Sequence, residues 1–233
     1  MGFQTNLCKD LKVLVTAGGN GIGRVIAESF ASYGAKIHIC DADNAALADV
    51  KASQPEWGRS HCDIAYEKQV ARLFEEATTE MGGLDVLVNN AGILRDRVLV
   101  NMTEAEWDAV IAVHLKGHFA PSRWAAAYWR EQHKAGVTKP RHIVHTSSTS
   151  GLFSNPGQAN YGAAKTGIAT FSQILAKELV RYNVTSNSIA PAARTRLTEA
   201  TPGLGDRIAA PSNAAQLDDW DPANISPLVC YLA

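Results

Sequence analysis

Three side chains between residues 146 and 165 have the types and the spacing of a proton-transfer site. Tyr161 precedes Lys165 by four residues, so both side chains share one face if this segment is helical. A phenol has a pKa of about 10, and a neighbouring ammonium group favours the phenolate, so the pair could exchange a proton near neutral pH. Ser148 lies thirteen residues before Tyr161, just past an apolar run. Its hydroxyl could hold the substrate oxygen that gains or loses the proton.

A glycine-rich turn near the N-terminus, TAGGNGIG at residues 16–23, could bind a dinucleotide. It follows the apolar run 13–15 and opens a segment with helical periodicity. Glycines allow the backbone N–H groups to approach a pyrophosphate at the positive end of the helix, although a plain strand–helix turn would look similar. The residues predicted to contact the cofactor here are Gly18, Asn20, Gly21, Ile22 and Gly23.

Two acidic residues end the next two predicted strands. Asp41 comes eighteen residues after Gly23, where a carboxylate accepts hydrogen bonds from the adenosine ribose hydroxyls and repels a 2′-phosphate. Neither Ala42 nor Asn20 supplies a cation, so NAD is expected rather than NADP. The alternative is a solvated carboxylate at a strand end. Asp63 is less specific, because it could accept from the adenine amino group or cap the following turn.

These residues require elements that bring them to one edge of a sheet. Short apolar runs alternate with helical patterns along the chain, which predicts an α/β fold: a single Rossmann-type, doubly wound parallel sheet with helices on both faces, spanning 1–233 as one domain. Parallel sheets bind ligands beyond the carboxyl ends of their strands. The predicted strands are 13–15, 36–40, 59–62, 84–88, 141–146 and 184–189. The predicted helices are 22–33, 45–52, 67–81, 103–133 and 161–182, the fourth with a Thr103/Glu106 capping box and a bend near Pro121.

Composition narrows the classes of function. The chain has 233 residues, 46% of them hydrophobic, and a net charge of −1, which argues against a nucleic-acid binder. The four cysteines are scattered and are expected to be free thiols in a reducing compartment. No apolar run approaches about 20 residues, and the N-terminus does not resemble a signal peptide. A cytoplasmic protein without membrane or nucleic-acid partners is therefore expected.

Together these motifs resemble the short-chain dehydrogenase/reductase family from about residue 12 to 191, with a weaker likeness to 233. The other matching phrases are NNAG (89–92) and NSIAP (187–191). The resemblance implies that Tyr161 is the general acid/base, Ser148 orients a carbonyl, and Lys165 adjusts the tyrosine and holds the nicotinamide ribose. It also implies further cofactor contacts with Ile64, Asn90, Ala91 and Gly92 on the adenosine side, and with Ile189, Pro191 and Thr195 around the nicotinamide.

Longer phrases point to a subgroup of this family. NNAGILRDR (89–97), VHLKGHF (113–119), NPGQANYGAAK (155–165) and ISPLVCYLA (225–233) resemble the dehydrogenase region of peroxisomal multifunctional enzyme type 2. NPGQANY also resembles 3-oxoacyl carrier-protein reductases. The resemblance implies a 3-hydroxyacyl or 3-oxoacyl thioester as the substrate and a homodimer or homotetramer. A reductase using NADPH, a hydroxysteroid or alcohol dehydrogenase, a non-catalytic dinucleotide-binding regulator and an interaction scaffold remain alternatives.

The sequence departs from the family at three points. Ala17 replaces a glycine, which is tolerable only if its φ is negative. His114 replaces an asparagine, and we expect either a packed histidine or a fourth catalytic residue that holds a water chain leading to Lys165. The glycine-rich last strand of the family does not occur before Ala233. His114 and His118 have a spacing found in metal sites, but no third ligand is evident and no metal is expected.

Overall fold

Six parallel strands form one sheet in the computed structural model, which describes residues 7–199, 208–213 and 216–233. The strand order is β3-β2-β1-β4-β5-β6. The strands are β1 (Lys12–Thr16), β2 (Lys36–Asp41), β3 (Gly58–His61), β4 (Val86–Asn89), β5 (Arg141–Thr146) and β6 (Val184–Ile189). Because the order reverses between β1 and β4, the sheet has the switch point at which doubly wound folds bind ligands.

Helices connect the strands and cover the sheet. They are α1 (Gly21–Ser32), α2 (Asn44–Ser53), α3 (Glu67–Met81), α4 (Glu104–Ile111), α5 (Gly117–Lys134), α6 (Thr149–Phe153), α7 (Ala159–Leu179), α8 (Arg196–Glu199) and α9 (Ser226–Tyr231). The predicted span of α3 is confirmed, and it ends at Gly82, whose φ of 71° allows the left-handed cap that stops the helix. The capping box of α4 is also confirmed, with both reciprocal hydrogen bonds present between Thr103 and Glu106.

The bend predicted near Pro121 is wrong in position. Pro121 lies inside α5, and the irregular turn is a π-helical segment at Ala112–Lys116, between α4 and α5. A proline removes a backbone donor and crowds the carbonyl four residues before it, which here is at Gly117, directly after the π segment. The wide turn therefore lies one turn before the proline, and it carries His114.

Two apolar cores lie on opposite faces of the sheet, as the alternation of strand side chains requires. Leu14 of β1 packs in the core with α3, α5 and α7, whereas Val13 and Val15 pack in the core with α1, α2 and α9. These three side chains have no solvent exposure. The predicted α/β class with helices on both faces is confirmed. Within the described part of the chain, no helix combines the length and apolarity that crossing a membrane requires.

Candidate active site

The glycine-rich turn joins β1 to the N-terminus of α1. Asn20 occupies the N-cap of this twelve-residue helix, but its side chain makes no capping hydrogen bond. The first N–H groups of α1 are therefore available to an anion, which the positive end of the helix also favours. Gly21 has φ +53°, and a Cβ at Gly23 would overlap the carbonyl oxygen of Ala17. The turn therefore has the small side chains and the free donors that fit a pyrophosphate, and Ile22 follows within the same first turn.

Two residues of this turn differ from the expectation. Ala17 has φ +49°, so the expected negative φ is wrong, and an alanine here adopts the left-handed conformation that favours glycine. A Cβ at Gly18 would lie 2.7 Å from Cγ2 of Ile39. Gly18 therefore faces the neighbouring strand β2, and the need for glycine at this position arises from packing.

Asp41 ends β2 beside the turn. Its Oδ2 accepts the N–H of Gly19 at 3.0 Å and its Oδ1 accepts the N–H of Asp43 at 3.0 Å. Asp63 accepts the N–H of Ala65 at 3.0 Å, so it caps its own turn, one of the two predicted roles. Both carboxylates line one pocket, together with other predicted adenosine contacts, namely Ile64, Ala91 and Gly92. This pocket, at the carboxyl ends of β1 to β4, fits the adenosine half of a dinucleotide.

Asn90 connects the end of β4 to the end of β1 through hydrogen bonds. Its Nδ2 lies 3.4 Å from the carbonyl oxygen of Thr16 and 3.3 Å from that of Ala17. In return, Thr16 Oγ1 accepts the N–H groups of Asn90 and Ala91 at 2.9 and 3.2 Å. Thr16 has no solvent exposure and was missed by the sequence analysis. The sequence feature that could have identified Thr16 is its position as the last residue of a central strand.

The residues predicted around the nicotinamide follow β6. Thr195 approaches the glycine turn, because a Cβ on Gly21 would lie 3.7 Å from Thr195 Cγ2. Pro191 lines a second pocket, between the end of β6 and α9. Ile189 borders the same pocket, but its side chain is buried in the core against α1 and α9. The structure thus brings Thr195 to the turn, while Ile189 acts mainly in packing.

Ser148, Tyr161 and Lys165 meet beyond the carboxyl end of β5. Ser148 caps α6, where its Oγ accepts the N–H of Ser150 at 3.1 Å, and it also hydrogen-bonds the Tyr161 hydroxyl. Lys165 Nζ donates to the carbonyl oxygen of Thr146 at 2.6 Å and lies 5.5 Å from the centre of the Tyr161 ring. One helix, α7, carries both the tyrosine and the lysine, and β5 ends beside them.

Burial dominates the electrostatics of this pair. It lowers the pKa of Lys165 to about 7, since the ammonium group is removed from water. Burial also raises the pKa of Tyr161, the hydrogen bond from Ser148 acts in the opposite direction, and the charge of Asp96 raises it further. The expected lowering of the Tyr161 pKa by Lys165 is therefore not found in this structure.

His114 lies against the catalytic pair. It is 1% exposed, and its ring meets the Tyr161 ring edge-on at 5.1 Å. Nε2 is 2.7 Å from the carbonyl oxygen and 3.0 Å from the amide nitrogen of Ile93, so the backbone partner is in the loop after β4. Its Nδ1 is buried without a partner. Burial and the charge of Lys165 lower the pKa of His114 to about 3, so the ring is neutral.

A group of hydrogen bonds made by Gln158 and Asn160, close to Tyr161 in the sequence, was not predicted. Gln158 Nε2 donates to Asp96 Oδ2 at 2.7 Å, and Asn160 Nδ2 donates to the carbonyl oxygens of Arg95 and Glu106 at 3.0 and 3.2 Å. These bonds join the loop after β4 and helix α4 to the N-terminal end of α7. The sequence signal for these bonds is the polar phrase NPGQANY, whose amide side chains were not predicted to make contacts. Among the described residues, no group of three or more potential metal ligands occurs.

Known proteins resemble this chain in sequence and in fold. Residues 11–205 match the short chain dehydrogenase family. The chain belongs to this family. This dehydrogenase is 42% identical over 230 residues to hydroxyacyl-CoA dehydrogenase ChsB1 of Mycobacterium tuberculosis, which covers 94% of this chain and 71% of the relative. It superimposes with a TM-score of 0.86 on a 3-ketoacyl-(acyl-carrier-protein) reductase from Brucella melitensis complexed with NADH, at 26% identity and with 97% and 91% of the two chains covered.

Multifunctional enzymes also contain a segment that is similar to this chain. The chain is 39% identical over 235 residues to the peroxisomal hydratase-dehydrogenase-epimerase of Saccharomyces cerevisiae, and 36% identical over 229 residues to the peroxisomal multifunctional enzyme type 2 of Drosophila melanogaster. The two alignments cover 96% and 94% of this chain, but only 24% and 36% of the length of those proteins. The predicted family and its two subgroup likenesses are confirmed. The protein is an oxidoreductase, and its family uses a nicotinamide dinucleotide.

Proposed function

We propose that this enzyme interconverts 3-hydroxyacyl and 3-oxoacyl thioesters with NAD as the hydride carrier. The observation that carries the proposal is the meeting of Ser148, Tyr161 and Lys165 at the same edge of the sheet as a turn whose free N–H groups suit a dinucleotide. The substrate class is supported by the relatives named hydroxyacyl-CoA dehydrogenase and 3-ketoacyl-(acyl-carrier-protein) reductase. A bound nicotinamide accepts or gives the hydride, and the residues of the chain handle the proton.

In the oxidation direction, the Tyr161 oxygen accepts the proton of the substrate hydroxyl as the carbinol carbon loses its hydride. In the reduction direction, the same oxygen returns the proton to the new alkoxide. Ser148 holds the reacting oxygen, because its hydroxyl already contacts the Tyr161 hydroxyl. When it is protonated, Lys165 lowers the cost of the phenolate by attraction. His114, whose ring abuts Tyr161, keeps Ile93 and hence the loop after β4 in place.

The decisive experiment compares Tyr161→Phe with a matched control, Tyr66→Phe, whose side chain is 60% exposed at the start of α3. We expect Tyr161→Phe to lose about 10²–10⁴-fold in kcat while retaining cofactor affinity, since only the proton-transferring hydroxyl is removed. The control should match the wild type. Turnover is measured by nicotinamide absorbance with 3-oxoacyl-CoA, 3-oxoacyl carrier protein and simple ketones. Near-normal turnover by Tyr161→Phe would refute the mechanism.

The preference for NAD rests on Asp41. Its carboxylate is fixed by two backbone N–H groups at the edge of the adenosine pocket, where it would repel a 2′-phosphate. The ratio of kcat/KM for NAD and NADP tests this directly. A ratio in favour of NADP would show that the carboxylate does not face the ribose.

The second candidate is a reductase acting on carrier-protein thioesters. It is favoured by the match to the Brucella melitensis reductase over 91% of that chain. The two functions separate in one comparison: a carrier-protein reductase has a much lower KM for 3-oxoacyl carrier protein than for the CoA thioester of the same acyl chain. Equal or better use of the CoA thioester supports the first proposal.

We also propose that the enzyme is a homodimer or homotetramer formed through its long helices. The outer surfaces of α4, α5 and α7 expose the apolar side chains Trp107, Phe119 and Ile174, which are 38%, 43% and 46% accessible. Light scattering coupled to gel filtration gives the mass directly. A Phe119→Lys variant should shift the mass toward the monomer, and a monomeric wild type would refute this proposal.

A further inference from the structure

Two fully buried histidines lie behind the proton-transfer site. His118 of α5 and His145 of β5 have no solvent exposure, and their rings stack with centres 5.7 Å apart and planes 21° apart. The ring of Phe171, on α7, meets His145 edge-on at 5.6 Å. The pair therefore lies between the sheet and the helix that carries the catalytic tyrosine and lysine.

The hydrogen bonds around the pair define the tautomer of His145. Ser122 Oγ donates its hydrogen to the carbonyl oxygen of His118 at 2.7 Å, so it must accept from Asn89 Nδ2 at 3.0 Å. The second hydrogen of the Asn89 amide points to His145 Nδ1 at 3.3 Å. That nitrogen is therefore an acceptor, and the proton of the neutral ring is on Nε2.

Several polar atoms of this compartment have no protein partner. They are His145 Nε2, Asn89 Oδ1 and the ring nitrogens of His118, although the backbone of His114 lies near enough to the His118 ring to raise its pKa slightly. An unsatisfied buried donor or acceptor costs about 1–3 kcal/mol, which is why such groups in native proteins bind ordered water. Two N–H donors and two acceptors in one compartment are the complement that internal water molecules require.

Lys165 binds β5 one residue beyond His145, at the carbonyl oxygen of Thr146. The charge of Lys165 helps to lower the pKa of both His118 and His145, after burial, so both rings present dipoles and no charge. His114 faces the lysine from the π segment, and Tyr161 faces it from α7. The charge of Asp96 raises the pKa of Tyr161. Lys165 Nζ has three hydrogens, and the carbonyl oxygen of Thr146, the residue after His145, accepts one.

We propose that His118 and His145 are positioning residues of the proton-transfer site, which bind internal water behind Lys165 and thereby solvate its ammonium group. This inference rests on the proposed function of Lys165. Neither histidine touches the substrate. Their effect passes through water to the lysine and, through the lysine, to the proton equilibrium of Tyr161.

The kinetic test is the pH profile of alcohol oxidation by His118→Phe and His145→Phe. An apolar ring leaves the ammonium less solvated, so Lys165 loses its proton at lower pH and stabilises the phenolate less. The rising limb of kcat should therefore move to higher pH by about one pH unit, the equivalent of one hydrogen bond. His118→Asn and His145→Gln retain polar atoms and should shift less. The matched control is His142→Phe, on the same strand but bonded to Thr185 outside this compartment. Profiles that coincide with the wild type for both phenylalanine variants would overturn the proposal.

The second test does not depend on the substrate or on the folding of a variant. A high-resolution crystal structure of the wild-type enzyme should show ordered water within about 3.2 Å of His145 Nε2 and a ring nitrogen of His118. A dry compartment would overturn the proposal even if acyl thioesters are turned over. Conversely, if water is present but no thioester is a substrate, only the proposed function fails.

Discussion

Replacing Lys165 by methionine should inactivate the enzyme and make the cofactor-free protein more stable. Burial lowers the lysine pKa from 10.5 in water to about 7 in the folded protein. The unfolded chain therefore binds more protons than the folded chain between pH 7 and 10.5, so stability rises with pH across that window. At about 1.4 kcal/mol per pH unit, the lysine costs the folded state up to about 5 kcal/mol below pH 7. The cost vanishes above pH 10.5.

Methionine has a similar length and carries no charge, so it removes this cost and loses only the hydrogen bond to Thr146, which contributes about 1 kcal/mol. We expect the free energy of unfolding to rise by about 2–4 kcal/mol at pH 6–7, and by much less at pH 10. Urea titrations at several pH values measure this free energy of unfolding for the variant and the wild type. Lys177→Met is the matched control, because that lysine is exposed on the same helix. A Lys165→Met protein that is no more stable than the wild type at pH 6 would refute the reasoning.

Substitutions at three further positions test other parts of the site. Ala17→Gly removes the strain of an alanine in the left-handed conformation, so the free energy of unfolding should rise by as much as about 1 kcal/mol, or about 2–4 °C in Tm. The control Asn183→Gly should raise it less, because asparagine tolerates its φ of 59°. Gly23→Ala places a Cβ against the Ala17 carbonyl oxygen, so calorimetry should show cofactor binding weakened by at least about tenfold, about 1.4 kcal/mol, with the sheet intact by circular dichroism. His114→Asn should retain more kcat than His114→Ala or His114→Leu, at unchanged cofactor affinity, and equal rates for all three would assign the histidine to packing alone.

The sequence predicted the elements whose ends carry strong local signals. Strands β5 and β6 and helix α3 have the predicted bounds, and the Thr103 capping box was readable from four residues. The π segment at Ala112–Lys116 was not predicted. Proline suggested a break, but the distortion falls on the turn before Pro121.

At the site, residue types and spacing predicted Ser148, Tyr161 and Lys165 as one group, and the structure brings them together. Their electrostatics could not be predicted, because burial of Lys165 and the nearby Asp96 depend on contacts across the fold. The same holds for His145: in a strand buried on both faces, alternation does not reveal which polar residue is enclosed. Its pairing with His118 joins positions 27 residues apart in the sequence.

The strand order also has a consequence for synthesis on the ribosome. β1 pairs with β2 on one side early in translation, but its other side pairs with β4, and the first hydrogen bond between these segments joins Lys12 to Asp85, 73 residues later. At roughly 5–20 residues per second, the apolar edge of β1 stays open for about 4–15 seconds. The nascent chain therefore presents an aggregation-prone strand edge until residues 86–89 emerge, and chaperone binding or slow codons in this interval should affect the yield of folded enzyme.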